Sequence, residues 1–459
     1  MKEPGTALAF GLEDRPPLGV TLLAALQHLL GVFVSVASVP VIISGGMGLS
    51  AADTRYMVGS SLVVSGVATL IQVTRPGGWL GSGLLSVQGT SFAFVGPFIY
   101  LASLAGGTPG PEYLGALFGS SLVGALGVMV LSRGLHWLQD LITPTVAGCT
   151  ILVIGVSLVM VTAQNTWRLH EQAVAAGSGV AALWIMVLAV VATILAILRF
   201  APQRLRINAL FVGLGVGVLA AGLLGALPTG LASIEGPALF MVDPLRFPHS
   251  VDASMLLVLL PIYLVSSVET MGDLSATSML SGRPIAGPEY WQRLRGGVLA
   301  DGFNSLLAAL CCTFPNTTFS QNNGVIRVTG VASRRVGVAL AVMLTLLGLL
   351  PQVAQLFLLL PGAVINGVTG VMFAMVGLAG IAILRGRGPG ARVWVVAGLT
   401  VACSLALSWL APHVDGLSAQ ARSLLAFPIA SAVVFAVIFD LVLPGRRRPP
   451  EAVAPAPAP

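Results

Sequence analysis

The chain has very little charge for its length. Asp, Glu, Lys and Arg make up only 9% of its 459 residues, whereas soluble domains contain about 25% charged residues. Hydrophobic residues make up 56% of the chain, and the mean hydropathy is +0.94. This composition excludes an ordinary soluble protein and predicts an all-α polytopic membrane protein that forms one transmembrane unit.

Cysteines and catalytic motifs are also scarce. Cys149, Cys311, Cys312 and Cys403 lie in apolar segments without CxxC or Cys/His spacing, so we expect no metal site and no disulfide. The chain contains no nucleophile motif and no phosphate-binding Gly-Lys loop, so nothing favours a membrane-embedded enzyme or a cofactor. The basic residues sit in short loops and therefore do not predict nucleic-acid binding. Residues 1–17 show no cleavable signal peptide.

Apolar stretches that are long enough to cross a bilayer are present throughout the chain. Fourteen such spans are predicted, at 18–43, 55–72, 83–103, 112–131, 140–161, 178–198, 207–226, 251–275, 295–311, 316–332, 335–351, 361–384, 391–411 and 421–443. The third and tenth spans are short or interrupted.

Positive charge is concentrated in alternate loops. Counted from the N-terminus, these loops hold 18 of the 23 Lys and Arg residues, the opposite loops or their edges hold four, and Arg327 lies inside a span. By the positive-inside rule, both termini are predicted to be cytoplasmic. The Pro/Ala-rich residues 446–459 are predicted to form a disordered cytoplasmic tail.

Fourteen spans divide into two sets of seven, and an odd number per half predicts an inverted-topology repeat. Residues 87–94 in the third span correspond to residues 319–326 in the tenth span. Both segments put small and amide residues midway through a span, which predicts broken helices or short strands there. Helix ends that meet at the membrane midplane offer free N–H and C=O groups to a solute.

The most polar run inside a predicted span is residues 314–330. It contains Asn316, Gln321, Asn322 and Asn323 where the neighbouring sequence is almost all hydrocarbon. Such a run is costly unless it lines a cavity or pairs with protein. Because amides both donate and accept hydrogen bonds, the run predicts the floor of a site for a small planar solute rather than a bare ion.

Three carboxyl groups fall inside or beside apolar spans. Glu269 and Asp273 are four residues apart and share a helix face, and Asp301 lies in the next span. An apolar bundle favours the protonated form of a carboxyl group, so such a group can bind a proton from one side and release it to the other. The alternative is a structural carboxylate that caps a broken helix, and it stays open for Asp273 and Asp301.

Three further residues each have more than one interpretation. His28 is either a satisfied structural histidine, part of a network that orients a carboxylate, or a substrate contact. Phe92 is either a core residue or a contact to a ring. Arg327 would be a site residue if it faced the pocket, but its position three residues after Gly324 favours a helix edge from which it snorkels.

Together these residues resemble the nucleobase–ascorbate transporter family, also called nucleobase:cation symporter-2. Its tenth-span signature of Gln or Glu, Asn-x-Gly and a later Thr is matched by residues 321–324 and Thr329. Its eighth-span Glu-x-x-Gly-Asp motif is matched by residues 269–273, its first-span Gln-His pair by residues 27–28, and its ninth-span Asp-Gly by residues 301–302. The similarity extends over nearly the whole chain, with the motifs in the expected order.

The resemblance implies a core domain of spans 1–4 and 8–11 and a gate domain of spans 5–7 and 12–14. The substrate would sit between short strands in spans 3 and 10. The corresponding divisions of this chain are a cytoplasmic N-terminus at 1–17, core at 18–135, gate at 136–250, core at 251–352, gate at 353–445 and the tail at 446–459.

The resemblance also implies roles for single residues. Glu269 and Gln321 would hydrogen-bond the base, and Phe92 would pack nearby. The remaining candidates for substrate binding are Ser91, Asn322 and Gly324, and the candidates for supporting the site or the proton path are His28, Asp273, Asp301 and again Asn322.

Gln321 further indicates the branch of the family, because uracil carriers usually have Glu there and ascorbate carriers have Pro. The surrounding residues favour the xanthine/uric acid branch in a bacterium. We therefore expect a proton-coupled symporter that imports uric acid or xanthine across the inner membrane by an elevator-type motion, embedded in lipid as a homodimer. The alternatives are a uracil or other nucleobase carrier, and a facilitative anion carrier of the same fold.

Overall fold

The computed structural model describes residues 8–135, 143–206, 208–227, 239–385, 390–414, 416, 425 and 428–444. Helices dominate this part of the chain, as its long apolar runs predict. In chain order they are α1 Leu18–Gly46, α2 Ala51–Thr74, α3 Val95–Ser103, α4 Pro111–Arg133, α5 Pro144–Ala175, α6 Val180–Phe200, α7 Gln203–Arg206, α8 Ala209–Leu223, α9 Ala253–Leu280, α10 Gly287–Leu310, α11 Gln321–Thr329, α12 Arg334–Gly348, α13 Pro351–Leu358, α14 Gly362–Arg385, α15 Ala391–Leu410 and α16 Pro428–Val442.

Within the described residues, eight helices are long and apolar enough to cross a membrane by themselves. They are α1, α2, α4, α5, α6, α9, α14 and α15. The pair α12 and α13 adds a ninth if it is taken as one span, although it bends by 72°. The molecule is therefore a multi-pass, mostly helical membrane protein, while the division into fourteen spans stays a prediction. The predicted tail at 446–459, the start of the fifth predicted span and most of the start of the fourteenth lie outside the described residues.

Two helices extend well beyond their predicted spans. Helix α10 begins at Gly287 rather than near residue 295, and α5 continues to Ala175 rather than ending near residue 161. The added turns carry charged residues such as Glu289 and Glu171. Hydropathy detects only the apolar part of a helix, and a helix can continue into the polar interface beyond it.

The third and tenth predicted spans are interrupted by short strands, which confirms that expectation. Strand β1 is Gln88–Thr90 and strand β2 is Asn316–Thr318. They pair antiparallel, with Gly89 opposite Thr317 at the centre of the register. Each strand is followed by helix: β1 by the 3-10 turn Phe92–Phe94 and α3, and β2 by α11.

Gly89 is required by this close approach. A Cβ atom built on it would overlap the Phe319 ring and come within 2.9 Å of Val36 Cγ2. The strand pair therefore packs directly against α1 with no room for a side chain at its centre.

The long helices pack in two groups. In one, α2 packs on α12, α4 packs on α10, and α1 and α9 complete the layer around the strands. In the other, α5 packs on α14, α6 on α8, and α15 on α16. Small residues permit close approach between α5 and α14, where a Cβ on Gly380 would meet the Leu152 backbone nitrogen at 2.6 Å.

The contacts of the two halves of the chain correspond to each other. Predicted span 4 (α4) packs on span 9 (α10), and the spans seven positions away from these, 11 (α12) and 2 (α2), also pack on each other. In the same way, span 6 (α6) packs on span 7 (α8), and span 13 (α15) packs on span 14 (α16). These correspondences are those expected of two similar halves, while the inverted topology of the repeat stays a prediction.

The N-terminal segment binds the end of the first helical group. Phe10 forms a parallel bridge with Val331, in the link between α11 and α12. Glu13 then makes ion pairs with Arg283 at 3.6 Å and with Arg334 at 3.2 Å. The N-terminal segment at 8–14 is therefore attached to the link between α11 and α12, to the start of α12 and to the loop that holds Arg283.

Candidate functional site

The strand pair is held in place by hydroxyl groups of the surrounding helices. The Thr69 hydroxyl of α2 accepts a hydrogen bond from the Gln88 backbone N–H at 3.0 Å. The Ser305 hydroxyl of α10 accepts one from the Asn316 N–H at 3.1 Å and donates one to the Asn316 carbonyl at 3.0 Å. These contacts fix the backbone on both sides of the break without using its side-chain amides.

Helix α9 carries Glu269 and Asp273 beside β2. The Asp273 carboxyl accepts a hydrogen bond from Thr318 Oγ1 at 3.1 Å. The Asp301 carboxyl accepts one from Thr270 Oγ1 at 3.0 Å, and Thr270 lies 3.2 Å from the Thr317 hydroxyl. Asp273 and Asp301 are thus linked to strand β2 through threonines. Both carboxyl groups therefore help to hold the strand in place, whether or not they also move protons.

Glu269 is different from these two carboxyl groups. Its Oε2 atom is buried and has no hydrogen-bond partner among the described residues. Asp273 and Asp301 lie close enough to interact with it electrostatically. None of the three forms an ion pair with a basic side chain in the part of the chain that the structure describes. A buried carboxyl group with neighbours of the same charge and no cation is costly unless it binds a proton or a ligand.

Gln321 begins α11 and faces a cavity of about 600 Å³, a volume within the usual range for small-molecule sites of roughly 300–1,000 Å³. Its Oε1 atom is buried and has no partner among the described residues. Gly324, on the next turn, also faces the cavity, and a Cβ at that position would meet no atom within 4 Å. The lining residues are Gly31, Leu198, Arg206, Ala209, Leu210, Ser320, Gln321, Asn323, Gly324, Arg327, Val328, Met375, Val376 and Ala379.

Several buried polar atoms around the strands lack a hydrogen-bond partner among the described residues. Besides those of Glu269 and Gln321, they belong to Gln88, Ser91, Asn316 and Asn322, and further ones belong to His28, Asp301 and Asn304. Buried polar groups in folded proteins are normally paired. The concentration of such atoms at one break in two spans indicates a place where a polar ligand supplies the missing partners.

The other sequence-predicted residues lie near the strands but not in the cavity lining. Phe92 is 2% exposed and packs against Phe319 and Phe373, with ring centroids 5.4 Å away in each case. Ser91 is buried beside it. Other aromatic rings thus pack against Phe92, as its core-packing interpretation predicts, and its contact with a substrate ring stays a prediction.

Asn322 and His28 lie next to each other, on α11 and α1. The Asn322 side-chain amide donates to the Leu85 carbonyl at 2.5 Å, just before β1. His28 is fully buried, and the polar side chain beside its ring is that of Asn322. Neither ring nitrogen of His28 has a hydrogen-bond partner among the described residues, and His28 does not line the cavity.

Sequence reasoning missed part of the lining. Arg327 was expected at a helix edge, but it is an exposed residue that lines the cavity, as does Arg206 of α7. Ser320 and Asn323 also line the cavity, and Phe373 of α14 covers Phe92. The periodicity of α11 alone cannot show which neighbour it faces, because α7 and α14 come from distant parts of the chain.

Comparison with known proteins concerns the whole chain. The Xan_ur_permease family model, described as a permease family, matches residues 19–417. Xanthine permease XanP of Escherichia coli K12 is 37% identical over 454 residues, which is 96% of each chain. Xanthine permease XanQ of the same organism is 37% identical over 461 residues, covering 97% of this chain and 95% of that protein. A purine permease of Emericella nidulans is 32% identical, over 82% of this chain and 71% of its own.

Solved structures of other transporters share the fold. The transmembrane domain of a cyanobacterial bicarbonate transporter, BicA, has a TM-score of 0.56 and 15% identity, over 94% of this chain and 98% of that one. The murine anion transporter Slc26a9, in its inward-facing state, has a TM-score of 0.55 and 10% identity, over 94% of this chain and 68% of that one. At such low identity these likenesses concern the fold alone.

Proposed function

The chain belongs to the Xan_ur_permease family of permeases, and on that basis we propose that it is a proton-coupled symporter that imports uric acid or xanthine across a bacterial inner membrane. At the coarser level it is a multi-pass nucleobase permease rather than an enzyme. The names of XanP and XanQ support a purine as the substrate.

The observation that carries the proposal is the group of unpaired buried polar atoms around β1, β2 and the start of α11. Leaving one such atom unpaired costs about 1–3 kcal/mol. A purine base presents ring N–H groups next to carbonyl oxygens, and an amide can pair with both at once. We assign base recognition to Gln321 and Glu269, with Ser91, Phe92, Asn322 and Gly324 around them.

Proton coupling is assigned to the carboxyl groups near the strands. Glu269, Asp273 and Asp301 have no ion-pair partner in the described part of the chain. Intramembrane carboxyl groups of this kind typically mark proton paths. Glu269, which lacks even a hydrogen bond at Oε2, is the group that we expect to exchange the coupled proton, and His28 supports the site through Asn322.

An elevator-type motion is supported by the position of the cavity. On one side it is lined by α1 and α11, and on the other by α6, α7, α8 and α14. These sides belong to the two packing groups, which we assign to the core (18–135 and 251–352) and the gate (136–250 and 353–445). If the core slides against the gate, a substrate bound at the strands is carried from one side of the membrane to the other.

The gate must be held still for such a motion, and we propose that two protomers do this as a homodimer. Only 22% of the apolar window of α6 and 28% of that of α15 are buried, compared with 72% for α2. These exposed apolar faces can pack against a second chain or against lipid. Mass measurement in nanodiscs tests the proposal, because a strict monomer that transports at the full rate would contradict it.

Uptake assays test the main proposal. Cells that express the protein should accumulate radiolabelled xanthine or uric acid, and a protonophore should abolish that accumulation. Uptake of uracil with no purine uptake would favour the other-nucleobase alternative. Anion uptake that ignores the protonophore would favour a facilitative anion carrier, which the two cavity arginines would also suit.

A further inference from the structure

Two guanidinium groups line the same cavity. Arg327 projects from α11, two turns after Gln321, and Arg206 ends the short helix α7. Both side chains are exposed, and α7 packs against α11. The two cations therefore lie on elements that meet across the boundary between the proposed core and gate.

Among the described residues, no acidic group compensates the charge of this pair. No Asp or Glu is among the described residues that line the cavity. Within the same part of the chain, Arg206 donates hydrogen bonds only to the neutral carbonyl oxygens of Ala201 and Arg199, at 2.8 and 3.5 Å. Arg327 has no ion pair or side-chain hydrogen bond with any residue that the structure describes.

Five other arginines among the described residues have acidic partners, whereas others, such as Arg295, have none. Arg246 pairs with Asp53 at 3.2 Å, Arg293 with Glu289 at 3.1 Å, and Arg392 with Asp440 at 2.9 Å. The absence of a carboxylate around Arg206 and Arg327, within the described residues, thus distinguishes the cavity from these sites.

We propose that the cavity admits the purine as an anion, and that Arg327, which lines the cavity together with Arg206, is the residue that selects this charge state. The inference rests on the proposed purine transport. A deprotonated oxopurine presents a ring nitrogen next to a carbonyl oxygen, and the planar guanidinium fork can donate to both. Gln321 then forms hydrogen bonds with the purine ring, while Arg327 and Arg206 attract its negative charge.

Equilibrium binding of radiolabelled urate to the purified full-length protein in nanodiscs tests the proposal. We expect Arg327→Gln to weaken urate binding by about tenfold or more, and Arg206→Gln to weaken it less, because that side chain is already hydrogen-bonded to its own loop. Wild-type affinity should fall as salt is added, since the attraction is electrostatic, and Arg327→Gln should flatten this dependence. Arg327→Lys should keep the salt dependence.

The matched control is Arg295→Gln. Arg295 is exposed, has no ion pair within the described residues and does not line the cavity, so its loss should leave urate affinity and salt dependence unchanged. Arg327→Gln with wild-type affinity overturns the proposal, and so does weaker binding with an unchanged salt dependence, which is what a purely structural role gives. If the wild-type protein binds uncharged adenine but not urate, the proposal that the cavity admits an anion is overturned and the proposal of purine transport stands. If it binds no purine, both proposals are overturned.

Discussion

Replacing Glu269 with Gln removes a group that can ionise and keeps the shape of the side chain. Glu269 Oε2 is buried without a partner among the described residues, and Asp273 and Asp301 lie nearby. The replacement therefore breaks no ion pair, and the amide cannot ionise and repel the neighbouring carboxyl groups. We expect Glu269→Gln to fold and insert normally, with a thermal unfolding temperature at or above that of the wild type.

The expected loss of transport follows from the energy that one proton supplies. A difference of one pH unit across a membrane is worth about 1.36 kcal/mol per proton, which is about a tenfold ratio of concentrations. A symporter that moves one proton with each substrate should therefore accumulate that substrate about tenfold in vesicles with such a gradient. If Glu269 exchanges the coupled proton, the variant should reach a ratio of about one.

Proteoliposomes with an imposed pH gradient provide the assay, with internal radiolabelled urate or xanthine measured at steady state. Glu112→Gln is the matched control, because Glu112 is an exposed carboxyl group in the first turn of α4. It should accumulate substrate as the wild type does. A Glu269→Gln variant that reaches the wild-type ratio would refute the assignment of coupling to this residue.

Three further predictions concern the strands and α11. Gln321→Glu should weaken xanthine and urate uptake by about tenfold or more, because an ionised carboxylate cannot donate and repels an anionic base; an unchanged competition profile across purines and uracil would count against it. Gly89→Ala should destabilise the protein by about 1–3 kcal/mol through overpacking. Gly215→Ala should not destabilise it, because a Cβ at Gly215 meets no atom within 4 Å. Equal unfolding temperatures for the two variants would contradict this prediction. Thr318→Val should cost about 1–3 kcal/mol because the Asp273 carboxyl loses its 3.1 Å donor, and unfolding in detergent measures it; a variant as stable as the wild type would show that this hydrogen bond contributes nothing.

The local sequence predicts those parts of the fold that depend on the pattern of polar and apolar residues along a single span. Amide and small residues in the middle of hydrocarbon predicted the breaks that became β1 and β2. The spacing of Glu269 and Asp273 predicted a shared helix, and both lie in α9. In each case the cost of polar groups in an apolar setting is read from neighbours in the sequence.

The partners of these groups could not be predicted in the same way. Thr270 joins Asp301 to β2, and Phe373 of α14 closes over Phe92, but these contacts join segments that are distant in the chain. Arg327 was assigned to a helix edge because one helix gives only the direction of a side chain. Whether that direction meets lipid, protein or a cavity depends on α7 and α14.

The pairing of β1 with β2 has a consequence for the synthesis of the protein. Gly89 lies in the first half of the chain and its partner Thr317 lies in the second half, so a ribosome that has made the first seven predicted spans has produced only one strand of the pair. Until the second half is inserted, the backbone N–H and C=O groups of Gln88 and its neighbours lie in the membrane without their hydrogen bonds to β2. A nascent chain that stalls before residue 316 should therefore be a substrate for membrane quality control, and the two halves expressed as separate polypeptides should protect each other from degradation.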